Sequence, residues 1–490
     1  MTIRNQPSRH IVVVGAGILG ACIAWCISER GFPVTLIDKS DPGSGASSHS
    51  FAMINADAKF PLHYHNLNRR SQDMWTRFAA ELARDGDGAS LGLRWGGKLA
   101  WVSDADAAVR LEAHVRQMQF WGYPMRLLSK SELSDMEPGL RVGAVAAAAY
   151  SENEGQVEPQ LVIEACLHRL AERNCDVCRN TEVTGYALTR EGRVKAVKTT
   201  SGDIRCDVVV LAAGSDTTRL ASRLGVHVPQ ETSSGVVIRT TPLPPLLRRA
   251  TVIYAPPMVA GEPEVHFRQC ADGGFMVGEG DQETHAEDGS QAHADELLAR
   301  AGSYLPELAE ARAVAVPAGL RPLPADGYPA IGFTTEVPNL YIALTHSGVT
   351  LAPVLSQLAA QEICDGVQAD AVLGPYRPQR FASRTTVEPC GGRCPPVPNS
   401  GVAMTGTPRC VALSGFPAHR DRMRRGLCVT FFQADRHIAL TFGGGYPKVH
   451  FAVDHGPFDR GLVGRVQFEG HIPVRWPGRA QEDLPAVALQ

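Results

Sequence analysis

The chain has 490 residues, which is too long for one ordinary domain and suggests about two to four. Hydrophobic residues make up 44% of it and charged residues 20%, as in a typical globular protein. The formal net charge of −3 argues against a basic surface for nucleic acid or anionic lipid. The 12 cysteines form no disulfide framework, so we expect reduced thiols and a cytoplasmic protein, with a peripheral position at the inner membrane face as an alternative.

The first apolar run, residues 11–27, could be taken for a signal anchor because it follows Arg4 and Arg9. It is at the short end of the range of about 17 to 25 residues that span a bilayer, and no small-residue cleavage site follows it. A strand pattern resumes after it. We therefore expect no stable membrane span.

The same run carries glycines at a fixed spacing. Residues 11–14 are a β-branched run suited to a buried parallel strand, and Gly15, Gly17 and Gly20 then spell G-x-G-x-x-G before a predicted helix over 21–30. In such a turn the first glycine permits the bend, the second lets a diphosphate approach the backbone, and the third lets the helix pack on the sheet. The phosphates lie at the helix N-terminus, where N–H groups and the dipole favour anions. The pattern predicts a dinucleotide-binding site.

An acid stands at the expected distance from this turn. Residues 34–37 form a second predicted strand, and Asp38 follows it. A carboxylate here can accept hydrogen bonds from a ribose hydroxyl but disfavours a 2′-phosphate, so NADP is not expected. The motif by itself does not distinguish FAD from NAD.

Apolar periodicity and turn signals predict the elements that follow. Predicted helices cover 60–82, 160–173 and 292–304; predicted strands cover 93–103, 175–183, 194–200, 206–214, 237–240, 252–255, 264–268 and 275–278; and residues 339–366 repeat the order of strand, glycine turn and helix. The short strands between 237 and 278 indicate an antiparallel sheet.

The pattern changes after Phe381. Residues 382–490 are rich in Arg, Pro, Gly and His and have few clean periods, which favours a small β-rich or partly disordered appendage. A tail with no selected fold is a further alternative. Four cysteines there match no familiar ligand spacing, so no metal site is expected: Cys390, Cys394, Cys410 and Cys428.

Four blocks of the sequence together resemble the FAD-dependent D-amino acid oxidase superfamily, which includes glycine oxidase, sarcosine oxidase and D-amino acid dehydrogenase. In chain order they are VVVGAGILG…LID with GASSHSFAMINA, then EGQVEP, DVVVLAAGSDTTRLASRLG, and GLRPLPADGYPAIG…LYIALTHSGVTLAP. They span residues 9–381, and the tail lies outside the resemblance.

The resemblance implies an α/β fold with a discontinuous Rossmann-type FAD-binding domain, an α+β substrate domain built on an antiparallel sheet, and an atypical C-terminal tail. The expected segments are 1–85, 145–222 and 312–383 for FAD, 86–144 and 223–311 for the substrate, and 384–490 for the tail.

The superfamily's cofactor positions fall on the glycine turn, the loop after Asp38, two strand ends and a helix N-terminus. They match Gly15, Ala16, Gly17, Ile18, Leu19, Asp38, Lys39, Ser47, Ser48, His49, Val183, Ala213, Gly214, Arg321, Ser347, Gly348, Val349 and Thr350. In one branch a histidine at the place of His49 is bonded covalently to the flavin. The usual tryptophan before it is missing here, so we expect non-covalent contact, with covalent attachment as the alternative.

The implied reaction is oxidation of the CH–NH bond of a small amino acid, either a D-amino acid or a secondary amine of the glycine, sarcosine or proline type. Such a reaction belongs to amino acid catabolism, and hydride passes to the flavin, with oxygen or a quinone or other electron carrier as the acceptor. Arg321 matches the arginine that binds the substrate carboxylate, a task suited to a guanidinium fork. Its structural alternative is an ion pair with Asp326. Tyr254 and Arg268 could contact the substrate or serve sheet packing equally well.

Two other functions stay open at this point. One is an NAD-linked dehydrogenase on the same fold, and the other is a catalytically broken member that only binds flavin.

Overall fold

The computed structural model describes residues 9–259, 261–280, 288–316 and 319–382, together with the backbone of four short strands between 409 and 452. The chain divides into two units, Met1–Val387 and Glu388–Gln490. In the second unit the described strands form one antiparallel sheet, in the order Arg409–Val411, Val429–Ala434, His437–Phe442 and Val449–Ala452. Three of the tail cysteines considered above lie outside the described residues, and only the backbone of Cys410 lies within them.

Buried β-branched runs form the centre of a mainly parallel sheet in the first unit. Its six strands follow the spatial order Ala330–Phe333, Leu340–Leu344, Val208–Leu211, Ile11–Val14, Val34–Ile37 and Asp176–Cys178. The first of these runs antiparallel to its neighbour, and the other pairs are parallel. Strands covered on both faces read as continuous apolar runs, which is why residues 11–14 carry no alternation.

Helices cover this sheet and pack on one another. Ile18–Glu29 contacts both Pro159–Glu172 and Gly348–Ala360, and Leu62–Ala83 also packs on Gly348–Ala360. Trp75 is fully buried in that contact and donates its indole N–H to backbone carbonyl oxygens of the facing helix at 3.2 Å. The last turn of Gly348–Ala360 continues as a wider turn over Gln361–Asp365.

An eight-stranded sheet lies in the same unit. Its spatial order is Ala313–Val314, Val237–Thr240, Phe275–Glu279, Val265–Gln269, Val252–Ala255, Lys98–Val102, Ala147–Ser151 and Met125–Leu128. Val252–Ala255 and Lys98–Val102 run parallel, and the other neighbours are antiparallel. Helix Gln291–Tyr304 packs on it over a buried apolar cluster that includes Phe267.

Smaller elements complete the unit. The minor sheets are Gln230–Gly235 with Gly319–Pro324; Val183–Leu188 with Val194–Thr199 and Gly202–Arg205; and Met53–Ile54 with Gly155–Gln156 and Arg94–Trp95. The other helices are Ala105–Phe120, Lys130–Met136, Thr217–Ser222 and Asp370–Leu373, with 3-10 turns at Ala89–Leu91, Gly214–Asp216, Pro306–Glu310, Gly374–Tyr376 and Pro378–Phe381.

The mixed α/β fold, with a Rossmann-type parallel sheet and an antiparallel sheet beside it, is confirmed. Three local predictions are corrected. The helix predicted over 21–30 is Ile18–Glu29, since it begins inside the glycine turn. The strand predicted over 93–103 is broken at Gly97, whose φ of +79° no extended strand adopts. The strand predicted over 175–183 is two strands in two different sheets.

Two strands that fall in the segments expected to bind FAD pair with the other sheet instead. Ala147–Ser151 and Ala313–Val314 belong to the eight-stranded sheet, although the segments 145–222 and 312–383 were expected to bind FAD. The boundaries themselves stay a prediction.

None of the helices in the described ranges combines the length and the apolarity needed to cross a bilayer. The apolar run over 11–27 is divided between a strand of the parallel sheet and the buried helix Ile18–Glu29.

A group of ionisable side chains is buried at the edge of strand Lys98–Val102. Asp57 is 2% exposed and pairs with Lys98 and, at 2.5 Å, with His114. Burial alone would raise the pKa of Asp57, but the two bases outweigh it and hold the pKa below its usual range. Burial, opposed by Lys98 and reinforced by Asp57, raises the pKa of the nearby Glu154 to about 8. Glu154 is therefore protonated at neutral pH.

This raised pKa has a consequence for stability. In the unfolded chain a glutamate ionises near pH ~4.3, whereas folded Glu154 keeps its proton up to a pH of about 8. Between these values the folded state binds more protons than the unfolded state, so stability falls as the pH rises. We expect Glu154→Gln to be more thermostable than the wild type, by a margin that grows from pH 5 to pH 8 and then levels off.

Melting temperatures of the two proteins across that pH range measure the margin. Glu152→Gln, at an exposed neighbouring acid, should show no such trend. A margin independent of pH, or a less stable Glu154→Gln at pH 8, would contradict the assignment.

Candidate functional site

A cavity of about 390 Å³ lies where the carboxyl ends of the parallel strands meet the eight-stranded sheet. The glycine turn and Asp38 line it from the first sheet, and Tyr254 and His266 line it from the second. Ligand sites of open α/β sheets lie outside the carboxyl ends of the strands, so this is the expected place for a bound molecule.

The glycine turn depends on close backbone contacts. Gly15 has a φ of +100°, and a Cβ there would collide with the carbonyl group of Ala212 on the neighbouring strand. A Cβ on Gly20 would collide with the carbonyl oxygen of Gly15. At Gly17 a Cβ would meet only the Ser47 Oγ, at an ordinary contact distance of 3.4 Å. The protein itself therefore requires the first and third glycines, and the second leaves space that the protein does not fill.

The helix that begins at this turn has its N-terminus at the cavity. Gly17 is its N-cap without a side-chain cap, and its first turn contains no acid. The Ile18 N–H donates to the Ser47 Oγ at 3.0 Å, which fixes the loop after Asp38 against the turn. Such an end favours a phosphate.

Asp38 closes its strand beside the turn. One carboxylate oxygen accepts a hydrogen bond from the Ala16 N–H at 2.7 Å, and the other accepts from the Ser40 N–H at 2.9 Å. Each oxygen keeps a further lone pair, so the carboxylate can still accept from a ribose hydroxyl. Lys39, the next residue, pairs with Asp216 at 2.5 Å.

A second helix N-terminus meets the cavity. Residues 347–350 line it where the helix Gly348–Ala360 begins, and that helix also lacks a side-chain cap and an acid in its first turn. The Tyr64 hydroxyl and the Ser347 Oγ share a hydrogen bond of 2.9 Å. The Thr350 Oγ1 donates to the Met53 carbonyl oxygen at 3.2 Å. This end favours negative charge in the cavity.

The eight-stranded sheet supplies an aromatic wall. Tyr254 and His266 are directly paired across two antiparallel strands, and their rings stack with centroids 4.9 Å apart. The Phe51 ring packs edge-on against His266 at 4.7 Å. The Lys98 Nζ lies 5.2 Å from the centroid of the Tyr254 ring. The wall is thus tied to the buried ion pairs of Asp57.

Arg321 lines the cavity from strand Gly319–Pro324. Its guanidinium lies against the backbone of Gly235, where any Cβ would collide with it. Asp326, the partner considered above for a structural ion pair, binds Arg380 at 2.6 Å. Arg321 lies at the cavity, which is where a carboxylate-binding residue has to lie.

Burial, assisted by nearby positive charge, keeps two lining histidines neutral. Burial, together with Arg321, lowers the pKa of His266 to about 3. Burial, together with Lys59 and then Arg321, lowers the pKa of His346 to about 4.

Most of the residues expected from the sequence meet in this cavity. Those that line it are Gly15, Gly17, Ile18, Leu19, Asp38, Lys39, Ser47, His49, Val183, Ala213, Gly214, Tyr254, Arg321, Ser347, Gly348, Val349 and Thr350.

Three of the expected residues do not line it. Ala16 supports the site through its N–H bond to Asp38, and the Ser48 Oγ donates to carbonyl oxygens within its own loop. Arg268 is fully buried, bound to Glu158 at 2.7 Å and to the Phe51 carbonyl oxygen at 2.5 Å. A substrate contact by Arg268 is therefore corrected to a structural role, because its donors are used inside the protein.

Three further residues that the sequence patterns did not predict also line the cavity: Lys59, His266 and His346. His346 directly precedes the helix turn 347–350 and follows strand Leu340–Leu344, so the strand-end rule could have found it. His266 lies on a predicted strand, but only the strand register shows that it faces Tyr254. Nothing in the local pattern marks Lys59.

Together the parallel sheet, the glycine turn, the ribose acid and the two helix ends define a dinucleotide-binding oxidoreductase. The family model described as FAD dependent oxidoreductase matches residues 10–362. The chain belongs to this family, and the resemblance to the D-amino acid oxidase superfamily is confirmed. Its cofactor is FAD, which sets the NAD-linked alternative aside.

Known proteins agree with this assignment. Glycine oxidase of Geobacillus kaustophilus is 28% identical over 384 residues, which cover 77% of this chain and 98% of that protein. A subunit of the opine oxidase of Agrobacterium tumefaciens is 27% identical over 77% of this chain and 99% of that protein. The crystal structure of the G. kaustophilus glycine oxidase aligns with a TM-score of 0.65 and 26% identity, over 76% of this chain and 99% of that one.

The residues present fit FAD. The helix N-terminus at Gly17 has no side-chain cap and no acid in its first turn, and a Cβ on that glycine would meet only the Ser47 Oγ. Gly17→Ala should therefore lower the stability of the flavin-free protein far less than Gly20→Ala does, while lowering flavin affinity by about 10-fold or more through lost diphosphate contact.

Flavin content after purification and the melting temperature of flavin-free protein measure these two effects. Gly20→Ala should lower both the flavin content and the melting temperature, since its Cβ collides with backbone. Gly302→Ala, in open space on helix Gln291–Tyr304, should lower neither. Full flavin binding by Gly17→Ala would contradict this placement of the diphosphate.

Proposed function

We propose that the protein oxidises the CH–NH bond of a small amino acid, a D-amino acid or a secondary amine of the glycine, sarcosine or proline type. The observation that carries the proposal is that Arg321 and the glycine turn line one cavity. A residue that can bind a carboxylate and a turn that can bind a cofactor thereby face one space, so the substrate would lie beside the cofactor. The relatives named as glycine oxidase and as a subunit of opine oxidase support an amino acid as substrate.

The cofactor is held by the first sheet in this proposal. The turn at Gly15 and Gly17 would hold the diphosphate, Asp38 the ribose, and residues 347–350 the flavin end. A bound flavin would supply the acceptor for a hydride from the α-carbon, and water would hydrolyse the iminium ion that remains to a carbonyl compound and a protonated amine. The helix end at Ser347 would favour the negative charge that reduction brings. His49 lines the same cavity, and we propose a non-covalent contact for it.

The residues of the substrate end would orient the amino acid. Arg321 would bind the carboxylate with two parallel N–H···O bonds, which fixes the α-carbon. The bound amine has to lose its ammonium proton before oxidation. Loss of that proton frees the nitrogen lone pair, without which the α-carbon cannot give up hydride. Tyr254 would form a wall beside the substrate.

We further propose oxygen or a quinone or other electron carrier as electron acceptor, a cytoplasmic location, and a role in amino acid catabolism. The segments 1–85, 145–222 and 312–383 would build the FAD-binding part, and 86–144 and 223–311 the substrate part.

The experiment that tests the function uses purified protein. The spectrum should show a flavin band near about 450 nm. Glycine, sarcosine, D-alanine, D-proline and hydroxyproline, each added without oxygen, should include at least one that bleaches it. Retained flavin that no amino acid bleaches would favour the broken family member that only binds flavin.

Arg321→Met should raise KM for the amino acid about 100-fold while flavin stays bound, since a charge-assisted carboxylate contact is lost. Steady-state kinetics and the flavin-to-protein absorbance ratio measure the two effects. Arg312→Met changes an exposed arginine outside the cavity and serves as the matched control. An unchanged KM in Arg321→Met would remove Arg321 from substrate binding.

A chain ending at Val387 should keep its flavin and its kcat/KM. The lining residues in the described part of the chain all fall between Val14 and Thr350, and the family match ends at residue 362. Flavin content, kcat/KM and melting temperature of the shortened and full-length proteins give the comparison. If the shortened protein folds but loses activity, the tail contributes to the reaction.

A further inference from the structure

Four neighbouring side chains form a surface outside the cavity. Phe60 and Leu62 stand at the start of helix Leu62–Ala83 and are 46% and 43% exposed. His63 is exposed beside them, and its ring centroid lies 5.7 Å from that of the half-buried Tyr328. We call these four residues the aromatic patch, and none of them lines the cavity. Exposed apolar side chains that lie together mark binding surfaces, whereas single ones do not.

A continuous set of contacts joins the aromatic patch to the cavity. The Tyr64 ring packs edge-on against Tyr328 with centroids 5.4 Å apart, and the Tyr64 hydroxyl shares the hydrogen bond with Ser347, which lines the cavity. The His63 Nδ1 and the Tyr376 hydroxyl share a hydrogen bond of 2.8 Å, and the Tyr376 ring lies 6.4 Å from that of Tyr64. Electrons tunnel better through packed and hydrogen-bonded side chains than through open gaps. These contacts therefore provide a route from the proposed flavin end to the surface.

The charges around the aromatic patch do not favour a charged partner. Partial burial lowers the pKa of His63, so its ring is neutral at pH 7, and the other three side chains are uncharged. Asp326, two residues before the tyrosine of the patch, is ion-paired with Arg380 at 2.6 Å. Lys59, the residue before Phe60, lines the cavity instead. An uncharged ligand matches such a surface better than an ion does.

The size and the chemistry of the aromatic patch fit a quinone. Four side chains are far fewer than the about 20 to 30 residues that each partner contributes to a stable protein interface. A flat ring can stack on aromatic side chains. When the Tyr376 hydroxyl donates to the His63 Nδ1, the neutral imidazole carries its proton on Nε2. Within the described part of the chain that Nε2 makes no hydrogen bond, so it can donate to a quinone carbonyl oxygen.

We propose that the aromatic patch binds a quinone, which receives the electrons of the reduced flavin by way of Tyr64 and Tyr328. The inference rests on the proposed function and names its electron acceptor and the place where that acceptor binds. Two electrons and one proton leave the anionic reduced flavin, and the quinone takes up two electrons and two protons to become a quinol. Solvent supplies the difference of one proton. The amino acid and the quinone thus occupy different sites.

The oxidative step can be measured apart from amine oxidation. The flavin of the full-length holoenzyme is reduced with one equivalent of dithionite without oxygen and then mixed with ubiquinone-1. The return of the flavin band gives the rate at each quinone concentration. Calorimetry of ubiquinone-1 with the flavin-free protein gives its dissociation constant without any turnover.

Leu62→Glu places a charge in the aromatic patch and should weaken ubiquinone-1 binding about 10-fold or more in both measurements. Reoxidation by oxygen, which needs no such surface, should stay as in the wild type, and so should bleaching by the amino acid. Leu127→Glu is the matched control, at a leucine that is 42% exposed on strand Met125–Leu128. It should bind ubiquinone-1 as the wild type does.

A wild type that binds no ubiquinone-1, or a Leu62→Glu protein that binds it unchanged, would overturn the inference. So would competitive inhibition of amino acid oxidation by excess ubiquinone-1, because it would place the quinone in the cavity. Reoxidation of dithionite-reduced flavin that depends on Leu62, in a protein that no amino acid bleaches, would support the quinone site and count against the proposed oxidation.

Discussion

The site depends on a contact between backbones. The turn after strand Ile11–Val14 passes so close to Ala212 on the neighbouring strand, and the following helix so close to Gly15, that neither Gly15 nor Gly20 can carry a Cβ. This contact brings the N-terminus of helix Ile18–Glu29 to the edge of the sheet with its amides towards the cavity. The positive end of the dipole, the acid at Asp38 and the second helix at Gly348 then meet around one space. A bulkier turn would lift the helix and separate these parts.

On the opposite wall, three other glycines leave room for large side chains rather than for backbone. Gly235 lies under the guanidinium of Arg321, Gly278 under the ring of His266, and Gly319 against His49. In each pair the missing Cβ lets a large polar side chain lie directly against the backbone of the glycine. The wall is therefore polar and still as closely packed as an ordinary protein interior.

The sequence predicts many of these elements, but it does not predict how the strands of the eight-stranded sheet are aligned with one another. The G-x-G-x-x-G turn, Asp38 and the helix after Leu340–Leu344 are local patterns, so the sequence alone places their elements and their positions at the cavity. Tyr254 and His266 face each other only because two strands pair with Tyr254 opposite His266, and no local signal fixes that pairing. Arg268, two residues from His266 on the same strand, shows the same limit in reverse. Its charge suggested a substrate contact, but the guanidinium is bound instead to Glu158, which is distant in the sequence and close in space.

The buried ion pairs give the polar wall its stiffness. Removing Asp57, Lys98 and His114 from water is costly, and their mutual attraction offsets that cost only with the partners held in place. Lys98 also lies over the face of Tyr254, and Asp57 holds the backbone two residues before Lys59. A single buried acid thus connects the aromatic wall to the segment that carries Lys59, which lines the same cavity. A cluster of this kind is a weak source of stability, because well-packed apolar residues would do as well. It is better explained by the orientation it imposes, since a site that holds a substrate against a cofactor needs its lining residues at fixed positions.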